Sequence, residues 1–312
     1  MSLPLYHSKN RLTTTPDMDF PDWLSQSQHR AEQVLARVMQ DVAAEKRLAD
    51  AMRYAVLGGG KRLRPVLAYA AAATVGKASS ATDIAACAVE CIHAYSLIHD
   101  DLPAMDDDVL RRGQPTCHVK FDEATAILAG DALQTLAFEL LITAELPMCS
   151  DTVRLRMLQE LARASGGFGM VGGQAIDMAV TGTDPGEATL SRMHSLKTGA
   201  LIRASILLGA LSTGRATGEQ LLALRHFAGA AGLAFQIQDD ILDVEAPSNQ
   251  SGKEQGKDQR QHKATYVSML GLDGAKSRLR EVNEQAQAAL QGFDAKADPL
   301  RQLARHLAER TA

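Results

Sequence analysis

A chain of 312 residues that is 46% hydrophobic and only 4% aromatic can bury a large core, either as one big helical domain or as two fused halves. Its formal net charge of −4 excludes a general nucleic-acid binder, which would carry a basic excess. Cys87, Cys91, Cys117 and Cys149 show neither the paired spacing of a zinc site nor a disulfide framework, so a reducing cytoplasm is the expected compartment.

Residues 1–20 are polar, Thr-rich and broken by Pro4 and Pro16, which reads as a flexible tail without a signal or transit pattern. Residues 21–312 read as a single helical domain. From about Asp22, Val34, Val38 and Val42 recur at i+4, and Leu48, Met52 and Val56 continue the stripe after a slip. Gly58-Gly59-Gly60 stops this helix and Lys61-Arg62-Leu63-Arg64-Pro65 opens the next. The Ala-rich runs 66–76 and 82–99 are helical, and the second leads into Asp100-Asp101-Leu102-Pro103-Ala104-Met105-Asp106-Asp107-Asp108, followed by Arg111-Arg112.

After a loop, helices are expected over about 122–146 and 151–165. Gly166-Gly167 and Gly172-Gly173 punctuate the next, which carries Gln174 and Asp177. Asp184-Pro185-Gly186-Glu187 reads as a helix start, and that helix holds Lys197-Thr198-Gly199. Residues 218–244 form a long apolar helix ending in Asp239-Asp240-Ile241-Leu242-Asp243. From 245 to 263 apolar residues almost vanish, as in a lid loop, and 264–310 reads as two amphipathic helices. No strand alternation or repeat interrupts the pattern, and no run approaches the roughly 18 continuous apolar residues of a membrane span. The expected fold is all-α.

Two acidic clusters at helix ends suggest one metal site. Asp239 and Asp243 stand i,i+4, and Asp240 and Asp243 i,i+3, so an α-helix puts each pair on neighbouring turns. Mg²⁺ favours such a site, taking one or two carboxylates and completing its shell with water and phosphate oxygens. Asp100 and Asp106 are six apart, about 240° on an ideal helix, and do not converge on a straight one. Pro103 disfavours helix at Leu102. If two residues of Leu102–Met105 loop out, Asp106 returns to the face of Asp100. Below it, Ser96 and His93 continue the same stripe.

Calcium-loop spacing fails, because Leu102, Ala104 and Arg111 fall where ligands belong. His99-Asp100 leaves a His-Asp metal phosphohydrolase as a rival that does not explain the second cluster. Cys87 and Cys91, at i,i+4, read as small core residues. The cations Lys61, Arg62, Arg64, Arg111, Arg112, Lys197, Lys253 and Lys257 fall at helix ends or in the lid, where Arg forks and Lys point charges can hold phosphate. Two basic sets beside two acidic clusters fit two diphosphate substrates.

Gly59–Pro65, Asp100-Asp101-x4-Asp106 with Arg111-Arg112, Lys197-Thr198, Gln236-Ile237-Gln238-Asp239-Asp240-x2-Asp243 and the Lys253 loop stand in one order. In this the chain resembles the trans-isoprenyl diphosphate synthase (polyprenyl synthetase) family from about residue 30 onward, most of all its bacterial farnesyl-length branch. The resemblance implies a homodimeric terpenoid-synthase helical bundle around a deep central cavity. It implies Mg²⁺-dependent condensation of isopentenyl diphosphate with dimethylallyl or geranyl diphosphate, giving farnesyl diphosphate. Asp100, Asp101, Asp106, Asp239 and Asp243 would hold three Mg²⁺ ions, with Mn²⁺ able to substitute. Arg111, Lys197, Thr198, Gln236 and Lys253 would contact the allylic diphosphate. Lys61, Arg64, His93 and Arg112 would bind isopentenyl diphosphate.

Charge neutralisation on the leaving diphosphate makes ionisation to an allylic cation feasible, and apolar walls keep water from trapping it. Chain length would be set by Tyr95 or Ser96, five and four residues before Asp100. Helical geometry leaves the choice open, and the resemblance favours Tyr95. His262 departs from the family pattern, which often has Gly before the Lys263-Ala264-Thr265-Tyr266 segment. Alternatives are a geranyl or geranylgeranyl diphosphate synthase, a terpene cyclase, and a non-catalytic prenyltransferase subunit.

Overall fold

Asp19 accepts a hydrogen bond from the Asp22 backbone N–H at 3.0 Å and Pro21 occupies the first turn, so helix α1 starts at Phe20 and runs to Gln40. The computed structural model describes residues 19–42, 44–146, 148–183, 185–245 and 265–309. The stripe expected to be one helix is two. α1 ends before Asp41, and α2 (Lys46–Leu57) begins where Glu45 accepts from the backbone of Arg47 and Leu48 at 2.9 and 3.2 Å. Periodicity hid the break because Val34, Met52 and Val56 still bury against one core.

α3 (Leu63–Val75) and α4 (Ser80–Asp100) are apolar nearly all round, which a helix tolerates only when wrapped on every side. α4 lies against α3, α6 (Glu123–Thr143) and α10 (Ala200–Leu211). Between α4 and α6 come a short hairpin of β1 (Leu110–Arg111) and β2 (Gln114–Pro115) and one helical turn, α5 (Cys117–Lys120). The sequence predicts a plain loop here, and the chain forms a hairpin instead. Its turn residues Arg112 (φ 54°) and Gly113 (φ 75°) are both left-handed, as a tight two-residue connection requires.

α7 (Asp151–Ser165), α8 (Met170–Val180) and α9 (Gly186–His194) follow; Asp184, expected to cap α9, lies outside the described residues. α11 (Gly218–Glu245) spans the molecule and packs on α12 (Tyr266–Ala289) and α13 (Asp298–Glu309). Among the described residues the architecture is all-α apart from the hairpin. One core cluster unites α1–α7, the start of α8, α10, the first half of α11, the end of α12 and α13, and a smaller one joins α9, the far half of α11 and the rest of α12.

α4 and α6 have the length and mean hydropathy of membrane spans, although neither is a continuous apolar run. Within the bundle 83% of that stretch of α4 is buried, which makes it a core helix. α6 is buried over 50% and keeps Leu128 and Ile142 56% and 57% exposed on its outer side.

Candidate active site

The α4 helix ends at Asp100 because Pro103 bars its continuation, and the chain then loops and returns. The Asp106 N–H donates to the Asp100 carbonyl at 2.8 Å, closing a six-residue excursion in which Met105 N–H also donates to Leu102 O at 2.8 Å. Asp106 is thereby brought back to the end of α4. Asp101 points elsewhere: it is 3% exposed and takes a forked ion pair from Arg111, with Nε and Nη2 at 2.9 and 2.6 Å. Asp101 and Arg111 therefore brace each other beneath the site. Burial first, then Asp106, pushes the Asp100 carboxyl up to about 6, although Lys197 and Arg111 pull it down.

Lys197 reaches this cluster from a π-helical turn, Ser195–Gly199, an irregularity that often marks a functional position. Its Nζ sits 2.5 Å from Asp177 Oδ2 of α8. Burial opposes the ammonium, but Asp177, Asp100 and Asp106 together hold its pKa above the ordinary value. Two glycines let the helices close around this turn. A Cβ on Gly173 of α8 would lie 2.1 Å from the Lys197 nitrogen, and one on Gly232 of α11 would lie 3.1 Å from Gly199 Cα. Asp177, which the sequence noted without a role, thus enters the site; its place three residues after Gln174 and just beyond a glycine pair was the available signal.

The second cluster divides by face. Asp239 is exposed, and Asp243 and Gln236 are half-buried. Asp240 is 5% exposed and accepts the Tyr266 backbone N–H at 2.7 Å, so it fastens α12 to α11. His194 joins the clusters: its ring responds to Asp177, Lys197 and Asp239 and stacks on Tyr266 at 5.7 Å between centroids. Burial chiefly lowers its pKa to about 4. A neutral folded imidazole against an unfolded value of 6.5 makes the unfolded chain the better proton binder between those pH values. Stability is then untouched above about 6.5 and falls as pH drops toward 4, by roughly 2–3 kcal/mol from this residue. His194→Gln is expected to flatten that limb in urea titrations at pH 7 and pH 4.5; an unchanged pH dependence contradicts it.

Among the described residues no three His, Cys, Asp or Glu side chains close on one point as a ready metal cage. The donors nevertheless suit Mg²⁺, which takes few carboxylates and fills its shell from water and phosphate. A half-buried carboxyl raised by burial and then by a neighbouring aspartate is a charge that such a cation would satisfy.

A second, cationic set lies beside the first. Arg64, half-buried, is lowered to about 10 by burial and the nearby Arg112, with Glu90 opposing, and stays protonated at neutral pH. His93 is held far below its usual value by burial and by Arg64 and Arg112, so its ring is neutral. Arg112 donates to the Gly59 carbonyl, and Lys61 is exposed at the rim with its carbonyl accepting from Gln28 Nε2 at 2.9 Å. The hairpin thus hands Arg111 to the acidic site and Arg112 to the basic one. Thr198 is half-buried beside Lys197; Lys253, Lys257 and His262 lie outside the described residues. His99 turns from Asp100 toward α6, its Nε2 3.1 Å from Ile127 O, which removes the basis for a His-Asp pair.

The polyprenyl synthetase family model matches residues 45–298. The chain belongs to the polyprenyl synthetase family. It is 52% identical over 274 residues to farnesyl diphosphate synthase of Escherichia coli (strain K12), covering 88% of this chain and 92% of that one. Chloroplastic geranylgeranyl pyrophosphate synthase of Catharanthus roseus is 46% identical, with 85% and 74% covered. A geranyltransferase structure from Legionella pneumophila superposes with a TM-score of 0.83 at 35% identity, over 94% of this chain and 98% of that one. The all-α bundle is thus the family's fold.

Proposed function

We propose that the protein condenses isopentenyl diphosphate head-to-tail with dimethylallyl or geranyl diphosphate, giving farnesyl diphosphate and free diphosphate, as a cytoplasmic homodimer. The observation that carries this reading is Lys197 lodged among Asp177, Asp100 and Asp106 while the cations Arg64 and Arg112, with the neutral His93, form a separate set. One substrate has to leave its diphosphate and the other to keep it, so two unlike anion sites are what the reaction needs.

Asp100, Asp106 and Asp239 would hold Mg²⁺, with Asp243 in support and Mn²⁺ as substitute, while Asp101, expected from the sequence as a further ligand, braces Arg111 beneath them. Bound there, the cations would supply positive charge against the departing diphosphate. Lys197 and Arg111, with Thr198, Gln236 and Lys253, orient that allylic diphosphate. Arg64, Arg112 and Lys61 hold isopentenyl diphosphate, and the neutral His93 donates a ring N–H to it. The allylic C–O bond breaks, the isopentenyl double bond attacks the allylic carbon, and the proton lost from the new chain passes to the released diphosphate. Incubated with Mg²⁺, isopentenyl diphosphate and each allylic primer, the protein is expected to release one diphosphate per carbon–carbon bond. No condensation with any primer refutes the reading.

For the fifteen-carbon product, Tyr95 serves as the floor. It is 5% exposed between α4 and α6, with its hydroxyl toward Gln134 and its ring edge-on to His99. Ser96 spends its hydroxyl on His93 O at 2.9 Å and fills little volume. Tyr95→Ala is expected to shift products beyond fifteen carbons by mass spectrometry; an unchanged profile contradicts this. The homodimer is supported by the outer face of α6, where Ile127, Leu128 and Ile142 are 44–57% exposed in one chain.

A further inference from the structure

Arg62 stands between two residues of the basic set yet never reaches its surface. It is 4% exposed and caps α3 in the left-handed region (φ 48°, ψ 35°), a conformation unusual for a side chain with a Cβ. Its guanidinium is spent on three partners: Glu90 Oε1 at 2.9 Å, the Val56 carbonyl at 2.8 Å and Glu32 Oε1 at 3.1 Å. Glu90 lies three residues before His93 on α4, with its side chain 4% exposed and Oε2 buried without a hydrogen-bond partner. It is also the carboxylate whose charge acts on both Arg64 and Arg112.

The turn that Arg62 caps is fastened on either side. Gln28 holds the Lys61 carbonyl, Arg112 donates to the Gly59 carbonyl, and a Cβ on Gly60 would stand 2.6 Å from the Arg112 guanidinium carbon. Among the described residues, the hydrogen bond that ties this turn to α4, the helix that carries His93, is the one from the Arg62 fork to Glu90. A planar fork spans three acceptors at fixed angles, which a lysine cannot reproduce.

We infer that Arg62, held by Glu90, is a positioning residue that sets Lys61 and Arg64 against His93 and so acts on isopentenyl diphosphate alone. The inference rests on the reading that Lys61, Arg64, His93 and Arg112 take that substrate.

Steady-state kinetics on the full chain with Mg²⁺ test it. Arg62→Lys keeps the charge and loses the fork. It is expected to raise KM for isopentenyl diphosphate about tenfold while kcat and KM for dimethylallyl diphosphate stay within about twofold. Equal movement of both KM values, or of neither, overturns the inference. If Arg62→Lys does not fold, Glu32→Gln cuts only the fork's outer end and is expected to raise the isopentenyl diphosphate KM about two- to threefold; no change overturns the inference. Arg64→Gln serves as control: if it leaves that KM unmoved, the assignment of the site itself fails.

Discussion

Asp100→Asn is expected to lower kcat for condensation about a thousandfold and, with EDTA present, to raise the melting temperature at pH 7.5 by about 2–5 °C. The two effects share one cause. Burial and Asp106 push the Asp100 carboxyl to about 6, above its ordinary value of 3.8. The folded chain then binds this proton more tightly than the unfolded one, so ionised Asp100 works against folding. That cost is full above pH 6 and is removed as pH falls toward 4. Allowing for partial solvent screening, it amounts to about 1–2 kcal/mol. The amide fills the same space without the charge. It cannot serve as an anionic ligand, so the leaving diphosphate loses the charge that Asp100 would have anchored. A variant that keeps its activity within tenfold, or melts lower than the parent in EDTA, contradicts the account. The stability gain should also vanish at pH 4.

Gly173→Ala is expected to lower the melting temperature by about 5–10 °C and kcat/KM about a hundredfold. Helix propensity alone argues the opposite, since alanine in a helix interior gains about 1 kcal/mol over glycine. Packing decides the sign here. The new Cβ would stand 2.1 Å from the Lys197 nitrogen and 2.5 Å from its Cα, and backbone cannot rotate away as a side chain would. The clash forces α8 off the π-helical turn, costing roughly 2–4 kcal/mol, and moves the Lys197 ammonium from Asp177. Gly229→Ala on α11 is the control. Its Cβ would meet nothing within 4 Å, and the helix gain should appear there undiluted. Equal behaviour of the two variants removes the argument.

Much of the architecture was legible because its causes are local. The helix over 151–165 was delimited from the sequence, and the structure shows Ser150 capping its start and Gly166 its end. Pro103 implied that the α4 helix must loop before Asp106, and the Asp106–Asp100 backbone hydrogen bond is that loop's closure. Other features depend on partners distant in sequence. The break at Asp41–Glu45 is invisible to periodicity because both halves of the stripe bury against one core. The π-helical turn forms where Gly173 and Gly232, both far from Lys197 along the chain, permit close approach. Asp240 turns inward because the Tyr266 amide, 26 residues on, needs an acceptor. Spacing put Asp239, Asp240 and Asp243 into one cleft; the structure instead buries Asp240 against the Tyr266 amide. Arg62 was simply one cation among several until its three acceptors were seen.

The central claim is that one chain builds two unlike diphosphate sites, one depending on divalent cations and aspartates, the other on arginines and a neutral histidine. Calorimetric titration of each ligand separately tests this most directly, using isopentenyl diphosphate and a non-ionising allylic thiodiphosphate. Isopentenyl diphosphate is expected to bind one equivalent per chain in EDTA, and to lose that binding in Arg64→Gln but not in Asp100→Asn. The allylic analogue is expected to need Mg²⁺ and to lose binding in Asp100→Asn but not in Arg64→Gln. Binding of both ligands that fails together in either variant, or that shares one dependence on Mg²⁺, contradicts the two-site account.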